Sequence, residues 1–486
     1  MEQPQNLIKP RLPRGFRDYS PGELKLRDKL IREVTRVYEL FGFAPLETSV
    51  FEYADSLGKF LPESDKPDGG IFSLKDDDGE WIATRYDLTA PLSRFYAKNF
   101  QTLPKPFRRY QLGPVFRQEQ TGVGRFRQFY QLDFDTVGSS NILTDLETVK
   151  ILNAAFLGLG LKQEDFTVKV NNRKILSGFL SGLDIAQPSE TFTSVMRNMD
   201  KLDKLGLGEI AKLLGPGRKD ESGVFTPGSG LKQNQTEAII RFLSARSDNR
   251  SETLKNLKEM SGGNAAAEEG LNELEQIGAF LGETHPNVVF DPSLVRGLEY
   301  YTGPVFEVEL NFEVPDEKGQ KRKFGSIAGG GRYDDLVKRF TGQEIPAVGA
   351  SIGLDRLMSA MVMLDEYKEE LAFAGPVVII RMDPNLTAEY LAIETELRAA
   401  GIPCEIYQGS SGLGAQTKYA DRRNSPAVIL LGENELRENQ VSVKDMNLGR
   451  RMSGDIGDRK TWLEQKPAQV TVERGKLLET VRQIVS

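Results

Sequence analysis

Hydrophobic positions along the chain follow a helical period first and a strand period afterwards. The tetrapeptide SPGE (20–23) has the form of a helix start with a capping box, and apolar residues then recur at helical spacing up to Phe41. Gly42 predicts the end of this helix, and an extended segment with Pro45 follows it. Further along, a second helix is expected to open at residue 87. Alternating stretches predict strands at 71–75, 80–86, 107–117 and 125–137.

The pattern changes twice more towards the C-terminus. From about residue 175 to residue 288 it consists of short amphipathic helices separated by Gly and Ser, which predicts a helical insertion. Strand-like segments return, and LAFAGP (371–376) has the composition of a linker. Strands and helices then alternate, which predicts a small α/β domain with a mainly parallel sheet. We therefore expect two domains, residues 1–370 with the insertion and residues 376–486.

Composition excludes several kinds of chemistry. Among 486 residues, Cys404 is the only cysteine and His285 the only histidine. Internal disulfides, cysteine zinc clusters, multi-histidine metal sites and Ser-His-Asp catalysis are therefore excluded. We expect no metal held by protein side chains. The chemistry has to use Arg, carboxylates, Tyr, Gln and backbone amides, with Mg²⁺ as the compatible ion.

Net charge and hydropathy limit which partners and which cellular location we expect. The net charge of −7 argues against nonspecific coating of nucleic acid, although it leaves room for a local basic patch. No apolar run approaches the length that spans a bilayer, and the N-terminus lacks the apolar core of a signal peptide. We expect a cytoplasmic protein that does not associate with membranes.

The segment FRQEQTGVGRFRQFYQLDFD (116–135) carries the densest set of chemical groups. Arg117 and Glu119 precede the Gly-Val-Gly loop and can face the same cleft as the strand that follows it. If 125–135 is a strand, its side chains alternate between two faces, and one face carries a row of different polar groups around a single aromatic ring. The residues of this row are Arg125, Arg127, Phe129, Gln131, Asp133 and Asp135.

These residue types suit a nucleotide at one end of the row and a second small molecule at the other. An arginine fork can donate two parallel hydrogen bonds to a phosphate, and Phe129 can stack under a base. Gln131 and Asp135 can hold a cationic or hydrogen-bonding group. The alternative is a surface hairpin with ion pairs between its strands.

Several motifs resemble class II aminoacyl-tRNA synthetases. FRQE…GRFRQFYQ resembles the second signature motif of that class, GASIGLDRL (349–357) resembles the third, and the first helix with its Pro45 segment resembles the first motif, a dimer element. Two peptides resemble those peculiar to histidyl-tRNA synthetases, LVRGLEYYTGPVFE (294–307) and SIAGGGRYDDLV (326–337).

Two more segments extend this resemblance over nearly the whole chain. RYDLTAPLSR (85–94) resembles the amino-acid-binding segment of that family, and QTKYADRRNSPAVILLGENE (416–435) resembles its anticodon-binding domain. The resemblance implies an α+β catalytic domain, with an antiparallel sheet flanked by helices and a helical insertion, followed by a C-terminal α/β anticodon-binding domain. It also implies a homodimer.

The resemblance implies a two-step ligase reaction. Histidine's carboxylate attacks the α-phosphate of ATP, with Mg²⁺ bridging the phosphates, and the histidyl group then passes to the terminal ribose of tRNA(His). It assigns catalysis to Arg117 and Arg296. It assigns ATP binding to Arg117, Glu119, Arg125, Phe129, Arg296 and Arg356. It assigns L-histidine binding to Asp87, Leu88, Thr89, Gln131, Asp135, Tyr300 and Tyr301.

Two departures from the family pattern bear on these assignments. Residue 87 is Asp where many members have Glu, which changes the reach of this carboxylate and weakens a role as general base for transfer. The loop before Arg125 has no basic residue, whereas many bacterial members have Arg there facing the acceptor end of the tRNA. How the first base pair and an extra 5′ guanosine are recognised is therefore open.

A basic group in the C-terminal domain is expected to neutralise tRNA phosphates. The alternative for each of its members is a solvent-exposed charged face. The group consists of Lys418, Arg422, Arg423, Arg437, Lys444, Arg450 and Arg451.

Two alternative functions remain open. The regulatory subunit of ATP phosphoribosyltransferase resembles the same catalytic core but makes no adenylate. It usually lacks the anticodon domain and some phosphate-binding residues. Here Arg117, Arg296 and Arg356 are present and residues 376–486 follow the core, which favours the synthetase. The other alternative, a synthetase for threonine, proline or glycine, is disfavoured by LVRGLEYYTG, and the threonine enzyme needs a zinc site that one Cys and one His cannot supply.

Overall fold

A computed structural model gives the fold. It describes residues 8–57, 70–118, 121–122, 124–219, 223–261, 263–282, 284–296, 301–315, 321–364, 373–453 and 468–485. The chain divides into two compact units, Met1–Lys368 and Glu369–Ser486. None of the described helices is long and apolar enough to cross a membrane.

The first unit begins with helix α1 (Pro21–Leu40), as the sequence predicts. Ser20 Oγ accepts from the backbone N–H of Glu23, and Glu23 Oε2 accepts from the N–H of Ser20 at 2.8 Å, so the capping box is confirmed. The elements up to the central hairpin are β1 (Ala44–Pro45), β2 (Phe51–Tyr53), β3 (Ser73–Lys75), β4 (Trp81–Thr84), α2 (Thr89–Asn99), β5 (Phe107–Phe116) and β6 (Gln128–Val137).

The remaining elements of this unit include the helical insertion, which consists of helices α4 to α9 and a two-stranded sheet of β8 and β9. They are α3 (Ile142–Gly158), β7 (Phe166–Asn172), α4 (Arg173–Gly182), α5 (Glu190–Met199), α6 (Leu202–Leu214), β8 (Gly217–Lys219), β9 (Phe225–Pro227), α7 (Gln233–Leu243), α8 (Arg250–Ser261), α9 (Ala265–Leu281), β10 (Val288–Phe290), β11 (Pro304–Pro315), β12 (Lys321–Arg332), α10 (Lys338–Thr341), β13 (Ala347–Gly353) and α11 (Leu354–Met361).

An eight-stranded sheet in the order β1-β5-β6-β13-β12-β11-β7-β10 organises the first unit. Its inner pairs are antiparallel and its two edge pairs are parallel, which agrees with the expected antiparallel sheet. One face packs on helices, where Tyr38 of α1 lies 4.8 Å from Phe134 of β6 between ring centres and both residues are buried. The opposite face is therefore the one that carries the polar row of β6.

The strand predicted at 125–137 begins only at Gln128, so the prediction is wrong for its first three residues. Gly122 and Arg125 form a short bridge that closes the loop, and Gly124 has φ of +65°, which interrupts the extended backbone. Arg125 therefore belongs to the hairpin loop, while Phe129, Gln131, Asp133 and Asp135 keep their common strand face.

The second unit contains β14 (Val377–Ile379), α12 (Thr387–Ala399), β15 (Cys404–Ile406), α13 (Leu413–Arg422), β16 (Ala427–Leu430), α14 (Glu433–Arg437), β17 (Gln440–Asp445), α15 (Met446–Ser453), β18 (Gln469–Glu473) and α16 (Leu477–Val485). Its five-stranded sheet has the order β15-β14-β16-β17-β18. The first three strands are parallel, whereas β17 and β18 run antiparallel to their neighbours, so the sheet is mixed rather than mainly parallel. The five-residue α14 between β16 and β17 is too short for a parallel crossover.

Candidate active site

The hairpin of β5 and β6 brings Arg117 and Phe129 together. The backbone N–H of Arg117 donates to the carbonyl of Arg127 at 2.8 Å, which continues the hairpin beyond the last ladder pair. Its Nε donates to the carbonyl of Tyr86 at 2.9 Å, and its guanidinium carbon lies 5.2 Å from the centre of the Phe129 ring. The loop end of the cleft thus combines an aromatic face with a positioned cation.

A second arginine, Arg356, lies where α11 begins beside β13. Its Nη2 donates to the carbonyl of Phe324 at 2.8 Å, and its guanidinium carbon lies 5.3 Å from the centre of that ring. Burial, followed by the charges of Arg125 and Arg296, lowers the pKa of Arg356 to about 10. The charges of Arg125 and Arg296 therefore act on the guanidinium of Arg356, and an anionic ligand beside Arg356 would favour its charged form.

Arg296 is held from two sides. Its Nε forms an ion pair with the buried carboxylate of Glu307 on β11, and its Nη2 lies 3.6 Å from Oδ2 of Asp203 in the insertion. Burial raises the pKa of Glu307, while the charges of Arg296 and Lys169 oppose that rise. Glu307 thus anchors the Arg296 side chain on the sheet while nearly half of that side chain stays exposed.

At the other end of the polar row, Asp135 is the centre of a buried network. Its Oδ2 lies 2.8 Å from Nη2 of Arg109, and its Oδ1 accepts from the hydroxyl of Tyr333. Arg109 Nη2 also donates to the carbonyl of Leu88 at 2.9 Å, which ties β5 to the start of α2. Burial raises the pKa of Asp135, although Arg109 and Tyr333 oppose that rise.

Asp87 occupies the N-terminus of α2. Its Oδ1 accepts from the backbone N–H of Thr89 at 3.1 Å and from that of Ala90 at 2.9 Å. Burial raises the pKa of Asp87, and the charge of Arg117 is among the influences that lower it. Asp87 therefore lies within electrostatic reach of Arg117, which connects the two ends of the cleft.

Two glycines allow side chains of the site to pack directly on the backbone of β12 and β13. A Cβ on Gly331 of β12 would come within 2.8 Å of the ring of Tyr301, so the half-buried Tyr301 packs directly on the glycine backbone. A Cβ on Gly349 of β13 would overlap Oδ1 of Asp135. The glycines of GGGR and GAS are thus needed for close approach.

Comparison with known proteins decides the family. A family model described as histidyl-tRNA synthetase matches residues 15–357, and one described as an anticodon-binding domain matches residues 376–483. The chain belongs to the histidyl-tRNA synthetase family. The histidine–tRNA ligase of Brucella abortus (strain S19) is 47% identical over 484 residues, covering 98% of this chain and 96% of the relative. That of Bartonella henselae is 46% identical over 494 residues, covering 100% and 99% of the two chains.

Solved structures agree with this membership. The histidyl-tRNA synthetase from Nostoc sp. PCC 7120 matches with a TM-score of 0.71 at 29% identity, covering 98% of this chain and 100% of that one. A protein from Bacillus halodurans C, described as an ATP phosphoribosyltransferase regulatory subunit/histidyl-tRNA synthetase, matches with a TM-score of 0.64 at 22% identity, covering 85% and 97% of the two chains. The latter likeness shows the fold alone.

Two residues of the site predicted from sequence cannot be placed. Glu119 and Tyr300 lie outside the described residues. The structure adds Arg109, Ser351 and Tyr333, which sequence reasoning did not select. The alternation of β5 was a signal for Arg109, and the GGGRYDD peptide contained Tyr333, but only the register between strands shows that both contact Asp135.

The basic residues of the C-terminal unit differ in exposure and in whether they pair with a carboxylate. Lys418 and Arg422 are exposed and four residues apart on α13, which places them on one helix face. Arg423 instead pairs with Glu405 at 3.1 Å, and Arg450 of α15 pairs with Asp421 at 3.1 Å. The remaining members are Arg451, which is exposed on α15, Arg437, which is exposed at the end of α14, and Lys444, which is half-buried on β17.

Proposed function

We propose that this chain is a histidine–tRNA ligase, which forms histidyl-adenylate from L-histidine and ATP and then transfers the histidyl group to the 3′ end of tRNA(His). The observation that carries the proposal is the division of one sheet face into a cationic end around Arg117 and a buried polar end around Asp135. Family membership over nearly the full length supports the same function.

ATP binds at the cationic end in this proposal. Phe129 and Arg356 enclose the adenine, and Arg125 with Arg356 contacts the outer phosphates. Arg117 and Arg296 act on the α-phosphate, and Glu119 contacts the adenine or phosphate side. Burial and the charges of Arg125 and Arg296 lower the pKa of Arg356, and a polyanion beside Arg356 offsets both effects.

The first step needs cations that are already in place. An oxygen of the histidine carboxylate attacks the α-phosphorus, and the bond from that phosphorus to the bridging oxygen breaks as pyrophosphate leaves. Negative charge builds up on the non-bridging phosphate oxygens in the transition state, next to an anionic nucleophile. Arg117 is fixed by the carbonyl of Tyr86 and Arg296 by Glu307, so neither has to reorganise during the reaction.

Magnesium is proposed to enter with the phosphates of ATP rather than to occupy a protein-held site. Among the described residues, Asp203, Glu307 and Glu309 are the carboxylates that approach one another closely enough to share an ion. Glu307 is already paired with Arg296, and Glu309 lies 2.8 Å from Nζ of Lys169. These side chains do not fit a resident Mg²⁺, and no step is assigned to one.

Histidine binds at the polar end. Asp87, Leu88 and Thr89 border the pocket from the start of α2, Gln131 and Asp135 form its floor, and Tyr300 and Tyr301 lie beside the imidazole. A pocket of buried polar groups rejects amino acids that cannot hydrogen-bond to them, because those groups would be left desolvated and unpaired.

In the second step a hydroxyl of the terminal ribose attacks the carbonyl carbon of the adenylate, and AMP leaves. We propose residues 1–370 as the catalytic domain and residues 376–486 as the anticodon-binding domain. Within the latter, Lys418 and Arg422 are the foremost phosphate contacts, while Arg423, Arg450 and Arg451 extend the same basic group. Arg423 and Arg450 must exchange their present carboxylate partners for phosphates.

We further propose that the protein is a cytoplasmic homodimer. The segment that resembles the dimer element and strand β2 after it carry three exposed large apolar side chains, Leu40, Phe51 and Tyr53. Exposed large apolar side chains, aromatic ones in particular, are enriched at interfaces. The proposed location follows from the substrates, because ATP and tRNA are used together in the cytoplasm.

The regulatory-subunit alternative is not favoured. The full-length relatives are histidine–tRNA ligases, and the anticodon-binding domain is present. ATP–pyrophosphate exchange with each of the twenty amino acids separates the two functions. Exchange with histidine alone supports the ligase. No exchange, together with binding to a phosphoribosyltransferase, contradicts it.

A further inference from the structure

The N-terminal segment before α1, residues 15–19, packs on the loop between β5 and β6. The carbonyl of Gly15 accepts from the backbone N–H of Arg127 at 2.8 Å, and the carbonyl of Arg127 in turn accepts from the N–H of Arg117. Gly15 has φ of +84°, and a Cβ there would come within 2.7 Å of Arg127 and 2.9 Å of Thr121. The N-terminal segment therefore contacts both sides of the loop that leads into β6.

Asp355 connects β6 to α11 at the point where the sheet can no longer do so. The ladder between β6 and β13 ends with Gln131 opposite Gly353, because β13 stops there and the helix begins. One residue before Gln131, the backbone N–H of Tyr130 donates to Oδ2 of Asp355 at 2.7 Å. The carboxylate of Asp355 thus takes the place of the next strand partner.

This connection lies directly beside the two residues that are proposed to enclose the adenine. Phe129 immediately precedes Tyr130, and Arg356 immediately follows Asp355. The hydrogen bond between the backbone of Tyr130 and the carboxylate of Asp355 therefore sets how far apart Phe129 and Arg356 are held.

Two side chains of the N-terminal segment hold the other oxygen of this carboxylate. Nη2 of Arg17 lies 2.9 Å from Oδ1 of Asp355, and the hydroxyl of Tyr19 donates to the same atom at 2.5 Å. Asp355 is 1% exposed, and a carboxylate removed from water in this way needs such donors. Burial, together with the hydrogen bond to Asp355, raises the pKa of Tyr19, so its hydroxyl remains a donor.

Arg17 is itself fixed by further contacts. Its Nη1 lies 3.2 Å from Oε1 of Glu23 in the first turn of α1. Its guanidinium carbon lies 4.2 Å from the centre of the Tyr19 ring and 4.4 Å from that of the Phe126 ring. The cation that pairs with Asp355 is therefore already oriented before any ligand binds.

We propose that Asp355 is a positioning residue for ATP, and that Arg17 and Tyr19 of the N-terminal segment hold it in place. This inference rests on the proposed function and deepens it, because it adds a third segment of the chain to a nucleotide site that is otherwise built from β6 and α11. Asp355 does not touch the nucleotide; it sets the separation of Phe129 and Arg356. A slot of fixed width binds the base without first having to be ordered.

Arg17→Met keeps the length of the side chain and removes the ion pair with Asp355. In ATP–pyrophosphate exchange, the KM for ATP should rise about 10-fold, because a hydrogen bond between charged groups is lost. The KM for histidine and the kcat at saturating ATP should both stay within about two-fold, because the lost interaction concerns binding alone. A merely structural role would instead lower kcat through the fraction of folded enzyme and leave the KM for ATP unchanged.

Adenosine, used as a competitive inhibitor against ATP, tests whether the loss concerns the base. Its inhibition constant should rise by the same factor as the KM for ATP. Arg27→Met is the matched control, because the guanidinium carbon of Arg27 lies 4.8 Å from the centre of the Tyr130 ring and 5.3 Å from that of the Tyr19 ring. This variant removes a neighbouring guanidinium but leaves both donors to Asp355 in place, so both constants should stay within about two-fold of the wild type.

A double-mutant cycle tests whether Arg17 acts through Asp355. Asp355→Asn removes the charge and should by itself raise the KM for ATP about 10-fold, and the double variant should lose no more than the worse single variant. If Asp355→Asn does not fold, as judged by thermal unfolding, Tyr19→Phe removes a donor to the same oxygen and replaces it in the cycle.

Three results would overturn the inference. An unchanged KM for ATP in Arg17→Met would mean that the N-terminal segment does not act on the nucleotide site. Equal increases in the KM values for ATP and histidine would mean that it supports the whole core, and additive losses in the cycle would mean that Arg17 acts independently of Asp355. Failure of the proposed function is distinguishable from these, because the wild-type protein would then show no exchange with histidine, and the inference would fall with it.

Discussion

The guanidinium carbon of Arg117 lies 5.2 Å from the centre of the Phe129 ring. The two residues approach because β5 and β6 are antiparallel neighbours, with Val115 directly opposite Phe129. The cation that we propose for the α-phosphate and the aromatic ring that we propose for the base are thereby positioned by one hairpin. Changes to either residue should therefore affect ATP before they affect histidine.

Phe129→Leu should raise the KM for ATP about 10-fold or more, because base stacking on an aromatic ring is lost. The KM for histidine should stay within about two-fold. Steady-state exchange kinetics with each substrate varied in turn measure both. Tyr130→Phe is the control, since Tyr130 lies on the opposite strand face and packs on Tyr19. Equal increases in both KM values would mean that Phe129 acts on the whole hairpin rather than on the base.

Arg296→Ala should abolish adenylation while the dimer stays folded. The guanidinium is proposed to stabilise charge that develops only in the transition state, so its loss should lower kcat by about 100-fold or more. Exchange rates, together with size-exclusion chromatography and calorimetric binding of histidine, test this. Activity near that of the wild type would refute the assigned role.

Glu307→Gln should give a smaller loss than Arg296→Ala. The substitution removes the charge that anchors Arg296 but leaves the arginine itself in place. We expect kcat to fall about 10-fold and the KM for histidine to stay unchanged. A KM for histidine that rises while kcat is retained would instead place Glu307 in substrate binding.

Asp133 should make the stability of the unligated protein depend on pH. Its carboxyl interacts with Arg109 on β5, Asp135 on β6, Ser351 on β13, and Arg85 and Asp87 before α2, and its pKa is raised to about 7 chiefly by burial. The native state thus holds a proton that the unfolded state has lost, so the stabilisation is complete below about pH 4 and is lost as pH rises through about 7.

Urea unfolding of wild type and Asp133→Asn between about pH 5 and about pH 8 measures this contribution. The free energy of unfolding of the wild type should fall relative to that of Asp133→Asn as pH rises, by at most about 4 kcal/mol. A difference that stays constant, or that shifts in favour of the wild type, would show that the buried carboxyl is ionised throughout.

Deletion of residues 376–486 should impair charging of tRNA much more than ATP–pyrophosphate exchange. The two units have separate hydrophobic cores, and the residues proposed for adenylation all lie in the first unit. Exchange and aminoacylation assays on the truncated chain measure the two effects. Equal losses would mean that the second unit supports the catalytic core instead of reading the anticodon.

The sequence predicted those parts of the fold that local patterns specify. The capping box of α1 is visible in four consecutive residues, and the polar row from Phe129 to Asp135 follows from strand alternation. The start of β6 could not be predicted. Gly122 and Arg125 close the loop by a bridge, so residues 125–127, which look like strand in the sequence, precede β6. The mixed sheet of the second unit was missed because strand direction depends on connection length rather than on composition.

Contacts between side chains on different strands could not be predicted from the sequence either. Arg109 and Tyr333 lie far apart in the chain, yet both contact Asp135, since β5 pairs with β6 and Tyr333 follows the end of β12. Asp87 is predicted to border the histidine pocket, and the structure shows that its Oδ1 also caps α2. Only the tertiary structure shows which buried carboxyl groups already have hydrogen-bond or ion-pair partners within the protein.

A crystal structure with L-histidine and a non-hydrolysable ATP analogue tests the central claim most directly. The account predicts both ligands on one face of the eight-stranded sheet, with the triphosphate among Arg117, Arg296 and Arg356 and the amino acid beside Gln131 and Asp135. The account would be contradicted by ligands bound elsewhere, or by a pocket that stays empty at saturating concentrations of both.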